Sequence, residues 1–342
     1  MILILSLLAC LNSNKVKRLN VPSEEGVIAL CPGEVLPLKV NVKMRNGKRK
    51  STTASGRAHL NWKHLEMRLD GQPMAGSVSM PLDPKLTWQR PLSLKVWLAD
   101  RPEVIWEGQV VARYDCDYVV DLRGYDGAAG QSASRDGEDG LVGEDGGDRG
   151  EPGNRGQAGG AGAHGGHGNM GPQATVSLVK STNAEGLLEA QVTLANSPER
   201  WIYLMAPGAS TLLMDVSGGN GGWGQAGGQG GDGGDGGDGL KQDGPGGDGG
   251  EGGEGGDGGD GGQGGSAELI VDPNAEAWSS SITLRAEGGA GGQAGKGGAG
   301  GDGGYGAPSG DDGIDGRAGR EGAQGPRGET LPVRVTTVTP SF

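Results

Sequence analysis

Residues 246–265 read GGDGGEGGEGGDGGDGGQGG, with glycine at two positions of every three and a polar residue at the third. Residues 150–171 also keep glycine at every third position. A three-residue repeat is typical of the polyproline-II conformation, which rises about 3.1 Å per residue and makes no internal hydrogen bonds. This repeat predicts the fold of the second half of the chain.

The glycine is concentrated in three segments. The chain has 342 residues and 75 glycines, of which 66 lie in segments 124–172, 218–265 and 288–328. Aromatic residues make up only 4% of the chain, and the glycine segments contain almost no branched aliphatic residues. Such segments cannot bury a side-chain core, so the composition excludes a large globular enzyme and leaves enough sequence for one or two small β domains.

Two known structures use a glycine repeat of three residues. Collagen needs one glycine per triplet and many imino acids, but the three segments hold only five prolines in 138 residues. A Gly-Gly-X helix has two bare faces, so that backbones can pair their N–H and C=O groups side by side. The pattern favours packed polyglycine-II helices, with a collagen-like trimer, suggested by 150–171 and 313–328, as the alternative.

Each glycine segment breaks its three-residue register near its middle. The breaks, at 140–147, 240–245 and 305–312, contain the larger residues and prolines that mark turns. We therefore expect each segment to be a hairpin, giving six polyglycine-II helices of about 60 Å each. Flexible linkers are the alternative. Residues at the hairpin tips are candidate partner-binding points: Leu141, Val142, Leu240, Lys241, Pro245, Tyr305 and Pro308.

The segments belong to an internal repeat. Three stretches align without gaps: DLRGYDGAAGQSASRDGEDG from Asp121, DVSGGNGGWGQAGGQGGDGG from Asp215, and RAEGGAGGQAGKGGAGGDGG from Arg285. Each follows an apolar strand, and each segment leads into another strand, so the repeating unit is strand, glycine excursion, strand. Residues 123–342 are therefore predicted to form a β base, built from 173–217, 266–287 and 329–342, that carries three glycine hairpins.

The strands that feed these excursions resemble the N-terminal domain of the Obg GTPases. The stretch Asp121–Gly140 and the run Gly230–Gly239 are similar to that domain's glycine motifs, and the resemblance covers about residues 118–338. It implies a β base with six polyglycine-II-type helices. The GTPase part is absent, so the resemblance implies no nucleotide hydrolysis. The longer helices also resemble polyglycine-II phage adhesins and snow-flea antifreeze proteins.

Residues 25–122 are predicted to form an immunoglobulin-like β-sandwich, after a linker at 11–24. Apolar residues alternate from Leu36 to Met44 and from Leu92 to Leu98, the pattern of half-buried strands. Asn46-Gly47 and Asp70-Gly71 are hairpin turn signals. The basic residues Arg45, Lys48, Arg49 and Lys50 surround the first of them and predict a solvated turn.

The three cysteines divide between export and cross-linking. Residues 1–10 are apolar and end in Leu7-Leu8-Ala9-Cys10, which resembles a bacterial lipobox in which the cysteine is acylated; the basic residues of a signal's first region are missing. A plain signal or a buried strand is the alternative. Export would leave Cys31 and Cys116 free to form a disulfide, with two buried thiols as the alternative.

No catalytic constellation is present in the sequence. The stretch Gly291–Gly297 departs from a phosphate-binding loop at Ala290 and Gly297. His164 and His167 share a helix edge but are too few for a structural zinc site. The acidic rows Asp232–Asp238 and Glu251–Asp260 predict a solubilising edge, with calcium shared between facing rows as the alternative.

The sequence predicts a non-enzymatic, exported bacterial protein of the outer membrane or cell surface, lipid-anchored at Cys10 and free of cofactors. Its net charge of −13 excludes nucleic acid as a partner. We expect a monomer whose rigid bundle presents its tips to a surface or matrix partner. A structural spacer and a collagen-like trimeric fibre are the alternatives.

Overall fold

The computed structural model describes residues 13–55, 58–130, 137–138, 140–141, 143–145 and 148–342. In these ranges the fold is all-β, as predicted. The only α-helix there is α1, Pro84–Thr87, and 3-10 turns occur at Ser13–Lys15, Trp62–His64 and Pro273–Ser281. No helix in the described ranges is long and apolar enough to cross a membrane.

Among the described residues, ten strands form the N-terminal part of the molecule. They are β1 Val16–Asn20, β2 Val27–Leu30, β3 Val35–Pro37, β4 Asn41–Met44, β5 Arg49–Ser51, β6 Leu65–Leu69, β7 Gln72–Pro73, β8 Ser77–Ser79, β9 Leu92–Leu98 and β10 Arg101–Ala112. Strands β2-β10-β9-β6-β7 make a five-stranded sheet, β1-β4-β5 a three-stranded sheet, and β3-β8 a pair. The predicted turns at Asn46-Gly47 and Asp70-Gly71 connect β4 to β5 and β6 to β7.

These sheets share one core. The residues that form it do not coincide with the predicted domain 25–122 at either end. Val16, Leu19 and Val21 are at most 3% exposed within it, so the predicted linker 11–24 contributes a core strand. Its apolar residues are too few and too irregularly spaced to stand out as a strand from sequence. At the other end, Tyr118 and Val120 pack in a second core, because their strand pairs with the base.

The second core lies in the β base, between two sheets. The base strands are β11 Asp117–Asp121, β12 Gln173–Lys180, β13 Leu188–Leu194, β14 Arg200–Met205, β15 Thr211–Asp215, β16 Ser266–Val271, β17 Ile282–Arg285, β18 Glu329–Thr330 and β19 Arg334–Val335. One sheet has the order β11-β15-β17 and the other β14-β13-β12-β16-β18, with β19 also on β16. Leu178, Leu212 and Met214 are fully buried between them.

The register of the base reproduces the sequence repeat. Asp121 is aligned with Asp215 across β11 and β15, and Asp215 is aligned with Arg285 across β15 and β17. These three residues begin the three stretches that align in the sequence. All three strands are parallel, so the three glycine segments leave the base side by side and in the same direction.

Each glycine segment runs out from the base and returns to it. We call the described residues of 124–145, together with 218–239 and 288–304, the outgoing arms, and 150–171, 244–265 and 310–328 the return arms. In the second segment Gly244, Gly247 and Gly250 donate backbone hydrogen bonds to Gly237, Gly234 and Gly231. The residue numbers of the donors rise as those of their acceptors fall, so the two arms are antiparallel and form a hairpin. The arms of the other two segments pair in the same way.

The six arms are joined by backbone hydrogen bonds at every third residue. Gly221, Gly224 and Gly227 on the second outgoing arm donate to Ala290, Gln293 and Lys296 on the third, at 2.8 Å. The second return arm donates to the third in the same way, and to the second outgoing arm. The arms therefore form two rows of three, one outgoing and one returning, in the same order as the base strands.

A disulfide joins the N-terminal domain to the base. Cys31 follows β2 and Cys116 precedes β11, and they are bonded with their Cα atoms 6.1 Å apart. Cys31 and Leu82 pack against the second core. Of the alternatives that the sequence left open, the structure contains the disulfide rather than two thiols.

Candidate functional site

The three hairpin turns meet at the end of the bundle that is distal to the base. Lys241 donates its backbone N–H to Asp148, and Gly246 donates to Pro308. The Gln242 side chain also lies 3.5 Å from the backbone oxygen of Ala307. The first hairpin therefore touches the second and the second touches the third. Of the predicted tip residues, Leu240, Lys241, Pro245, Tyr305 and Pro308 lie in or beside these turns, whereas Leu141 lies in the last part of the first outgoing arm, where its backbone oxygen accepts from Asn154 of the return arm.

Large side chains at this end are exposed. Leu141 is 72% exposed, Leu240 88% and Tyr305 80%, one residue from each hairpin. Pro308 is also exposed, whereas Pro245 is half-buried. Val142 lies outside the described residues. The tip surface, defined here as Leu141, Leu240 and Tyr305, is apolar, projects into solvent and rests on arms fixed by backbone bonds.

Lys241 has a different environment from the other predicted tip residues. Its Nζ atom lies 2.7 Å from a carboxylate oxygen of Asp148, so it forms an ion pair between the first and second hairpins. Its backbone N–H also donates to the oxygen of Asp148. Lys241 thus holds two turns together, a role that its position in a turn sequence did not indicate.

Aspartates along the bundle accept backbone hydrogen bonds from the neighbouring arm. The Oδ1 atoms of Asp232 and Asp235 accept from the N–H groups of Asp302 and Tyr305, at 2.9 and 2.7 Å. Asp257 and Asp260 accept from Arg320 and Ala323 on the third return arm in the same way. These N–H groups belong to exposed residues and do not take part in the backbone hydrogen bonds between arms. The carboxylates therefore give these donors a partner.

The glutamates of the same row are bonded differently. Glu251 is paired with Arg155 at 3.7 Å, and no described contact joins the side chain of Glu251 or Glu254 to a neighbouring backbone N–H. Aspartate, with one methylene fewer, holds its oxygen at the distance of the adjacent arm. The sequence prediction of a solubilising edge therefore missed a second role, for which the choice of Asp over Glu was the available signal.

His164 and His167 act in the same way. Their Nδ1 atoms accept backbone hydrogen bonds from Asp257 and Asp260, at 2.9 and 3.0 Å. A ring nitrogen that accepts carries no proton, which assigns the Nε2–H tautomer to both rings. The structure places both rings on the edge predicted from the sequence, and there they extend the row of side chains that bond neighbouring arms.

One aspartate of this edge is also paired with an arginine of the neighbouring arm. Arg320 lies 2.9 Å from Asp257, whose other oxygen binds backbone N–H. The hydrogen bonds from Arg320 lower the pKa of the Asp257 carboxyl. In the described part of the chain, no group of three or more His, Cys, Asp or Glu residues is arranged to hold a metal ion.

The glycine stretch Gly291–Gly297 lies within the third outgoing arm. Gly292 and Gly295 donate their N–H groups to Gly259 and Gly256 at 2.8 Å. A phosphate-binding loop needs such N–H groups free to point at the ligand. In this stretch they are used to pack one arm against another.

The chain was also compared with known proteins. No protein-family model, no curated protein and no solved structure matches it.

Proposed function

We propose that the six arms are polyglycine-II-type helices and that the bundle presents the tip surface to a partner outside the cell. The observation that carries this proposal is the backbone hydrogen bonding at every third residue between arms of one chain. A three-residue turn without internal bonds must satisfy its backbone through neighbours. The same bonds are a reason to expect a monomer, since a collagen-like trimer would place these partners on other chains.

The distribution of glycine supports this architecture. The second outgoing and return arms each donate to and accept from several neighbours, and they have glycine at two of three positions. The first outgoing and third return arms lie at the ends of their rows and mostly have one glycine per triplet. Bare positions thus occur where another backbone approaches.

We further propose that the N-terminal sheets are an immunoglobulin-like sandwich and that the protein is exported and anchored through lipid on Cys10. Cys10 lies outside the described residues. The disulfide between Cys31 and Cys116 is consistent with an oxidising compartment. Mass spectrometry of the protein extracted from membrane fractions tests the anchor, because an acylated Cys10 would be the first residue of the mature chain.

The protein has no enzymatic activity in this proposal. The N–H groups of its bundle glycines are used in packing, and His164 and His167 accept backbone hydrogen bonds. Exposed apolar residues occur near the base, at Tyr125, Met170 and Trp223, and toward the distal end, at Leu240 and Tyr305; at the distal end a rigid scaffold presents them beside the turns. This arrangement suits adhesion or binding better than catalysis.

Alanine replacements test the display of the tips. The tip variant carries Leu141→Ala, Leu240→Ala and Tyr305→Ala, and a matched control carries Tyr125→Ala, Trp223→Ala and Met170→Ala, which are also exposed on the bundle. Binding of both to an array of cell-surface glycans and immobilised matrix proteins is compared with that of the unchanged chain. We expect the tip variant alone to lose binding.

Three results would contradict parts of the proposal. Binding that survives all tip replacements would exclude display by the tips. Failure of the unchanged chain to bind any array member would favour the structural spacer. A trimer in light scattering coupled to gel filtration would favour the collagen-like fibre.

A further inference from the structure

A basic surface lies on the three-stranded sheet of the N-terminal domain. Arg18 of β1 is aligned with Lys43 of β4, and Lys43 is aligned with Arg49 of β5. With Lys39, these cations line an open depression of about 570 Å³, together with Asn20, Asn41 and Val42. We call Arg18, Lys39, Lys43 and Arg49 the basic face; all four are exposed.

The basic face is costly for the fold. Like charges directly opposite each other on neighbouring strands destabilise a sheet. In the described part of the chain, none of the four cations has a carboxylate within ion-pair distance. Elsewhere in the domain Arg90, Lys95 and Arg101 are paired with Asp70, Glu107 and Glu103. An unpaired cross-strand row of cations therefore points to an anionic ligand outside the chain.

Charge is divided between the two ends of the molecule. Residues 13–116 carry 17 Lys and Arg against 10 Asp and Glu, whereas residues 117–342 carry 13 against 33. An anionic surface would attract the N-terminal domain and repel the bundle. The molecule would be oriented with its basic face toward the surface and its tips away from it.

The basic face is also close to the predicted lipid. Strand β1 begins at Val16, six residues after Cys10, a stretch that spans at most about 20 Å. An acylated Cys10 would hold this sheet next to the headgroups. A basic patch beside a lipid anchor adds electrostatic attraction to anionic headgroups.

We propose that the basic face binds an anionic lipid surface and acts as the second membrane-binding element of the protein. The inference rests on the proposed lipid anchor at Cys10, because that anchor would hold the basic face against the membrane. The ligand is the phosphate of the headgroups, and the four cations bind it by charge rather than by a closed pocket. Each Lys or Arg near such a surface adds comparably to the binding.

Vesicle co-sedimentation of the full chain tests this inference separately from the anchor. All proteins carry Cys10→Ser, so that acylation cannot contribute. The test variant adds Arg18→Gln, Lys43→Gln and Arg49→Gln. The matched control adds Lys63→Gln, Lys85→Gln and Lys296→Gln, which removes the same charge from exposed positions elsewhere. Vesicles are phosphatidylcholine alone or with 30% phosphatidylglycerol.

We call the protein that carries Cys10→Ser alone the parent. We expect the parent and the control to bind the phosphatidylglycerol vesicles about 100-fold more tightly than the test variant at low salt. High salt removes this difference. Circular dichroism melts verify that all variants are folded. Equal losses in both variants, or no preference for phosphatidylglycerol, would overturn the inference.

One further result would reassign the basic face. Self-association of the parent without vesicles, lost in the test variant alone, would mean that a second copy's acidic bundle occupies it. Neither outcome depends on whether Cys10 is acylated, which the mass spectrometry experiment decides independently.

Discussion

The β base buries side chains, whereas the glycine bundle buries backbone. In the base, Leu178, Leu212 and Met214 are fully covered by neighbouring side chains. In the bundle, Gly253 is buried by backbone alone: a Cβ atom added there would lie 2.0 Å from the oxygen of Gly160. The base is stabilised by apolar area removed from water, and the bundle by hydrogen bonds made at every third residue.

This difference predicts opposite sensitivities to substitution. A core held by side chains is weakened when atoms are removed, because a cavity remains. A bundle held by contacting backbones is weakened when atoms are added, because the arms must separate. Glycine also loses more conformational entropy on folding than any other residue, so the bundle depends on its hydrogen bonds being complete.

The largest effect is expected for Gly253→Ala. The added methyl group would overlap the Gly160 oxygen and push apart two arms, costing about 5 kcal/mol with the hydrogen bonds that are broken. Glu254→Ala is the control, since it changes the adjacent, exposed residue. Thermal melts followed by circular dichroism measure both. Equal stability of the two variants would show that the arms are not packed as described.

Leu178→Ala in the base is expected to cost about 3 kcal/mol, because the fully buried side chain leaves a cavity. Ser177→Ala, on the neighbouring residue of β12, serves as its control and should change stability little. Denaturant unfolding measures the difference. If removing atoms at Leu178 were as harmless as the control, the base core would not be the platform on which the bundle depends.

Removing the disulfide tests how the two domains are coupled. Replacing both Cys31 and Cys116 by serine is expected to cost roughly 2 kcal/mol, because the unfolded chain is no longer constrained. Melting of the oxidised protein, the reduced protein and the double variant is compared. The reduced protein and the variant should agree, and a variant as stable as the oxidised protein would contradict the prediction.

The smallest effect on stability is expected from protonation of the Asp257 carboxylate at low pH. Because Arg320 lowers the pKa of Asp257 in the folded protein, this carboxylate stabilises the fold above its unfolded pKa of about 4 and ceases to do so as pH falls through the folded value. Asp257→Asn should therefore reduce the fall in melting temperature between pH 5 and pH 3. An identical fall in both proteins would exclude this contribution.

Much of the architecture could be predicted because the repeat is visible in the sequence. The alignment of Asp121, Asp215 and Arg285 anticipated the register of three parallel strands. The breaks at 240–245 and 305–312 anticipated two turns, whereas the break at 140–147 begins too early, because Gly140 and Gly143 still bond to the second outgoing arm. Strand β1 was missed because Val16, Leu19 and Val21 form too short a pattern. The bonds from Asp257 and His164 to neighbouring arms were missed because they depend on which arms are adjacent.

The sequence by itself determined where backbone must approach backbone, since glycine at two of three positions leaves no side chain to fill the space. It also determined where the second and third segments turn, because larger residues and prolines interrupt the repeat there. Only the tertiary structure decided the order of the arms in two rows and the partners of the aspartates and histidines. Every glycine triplet presents the same N–H and C=O groups, so the parallel strands of the base are needed to select which arms pair.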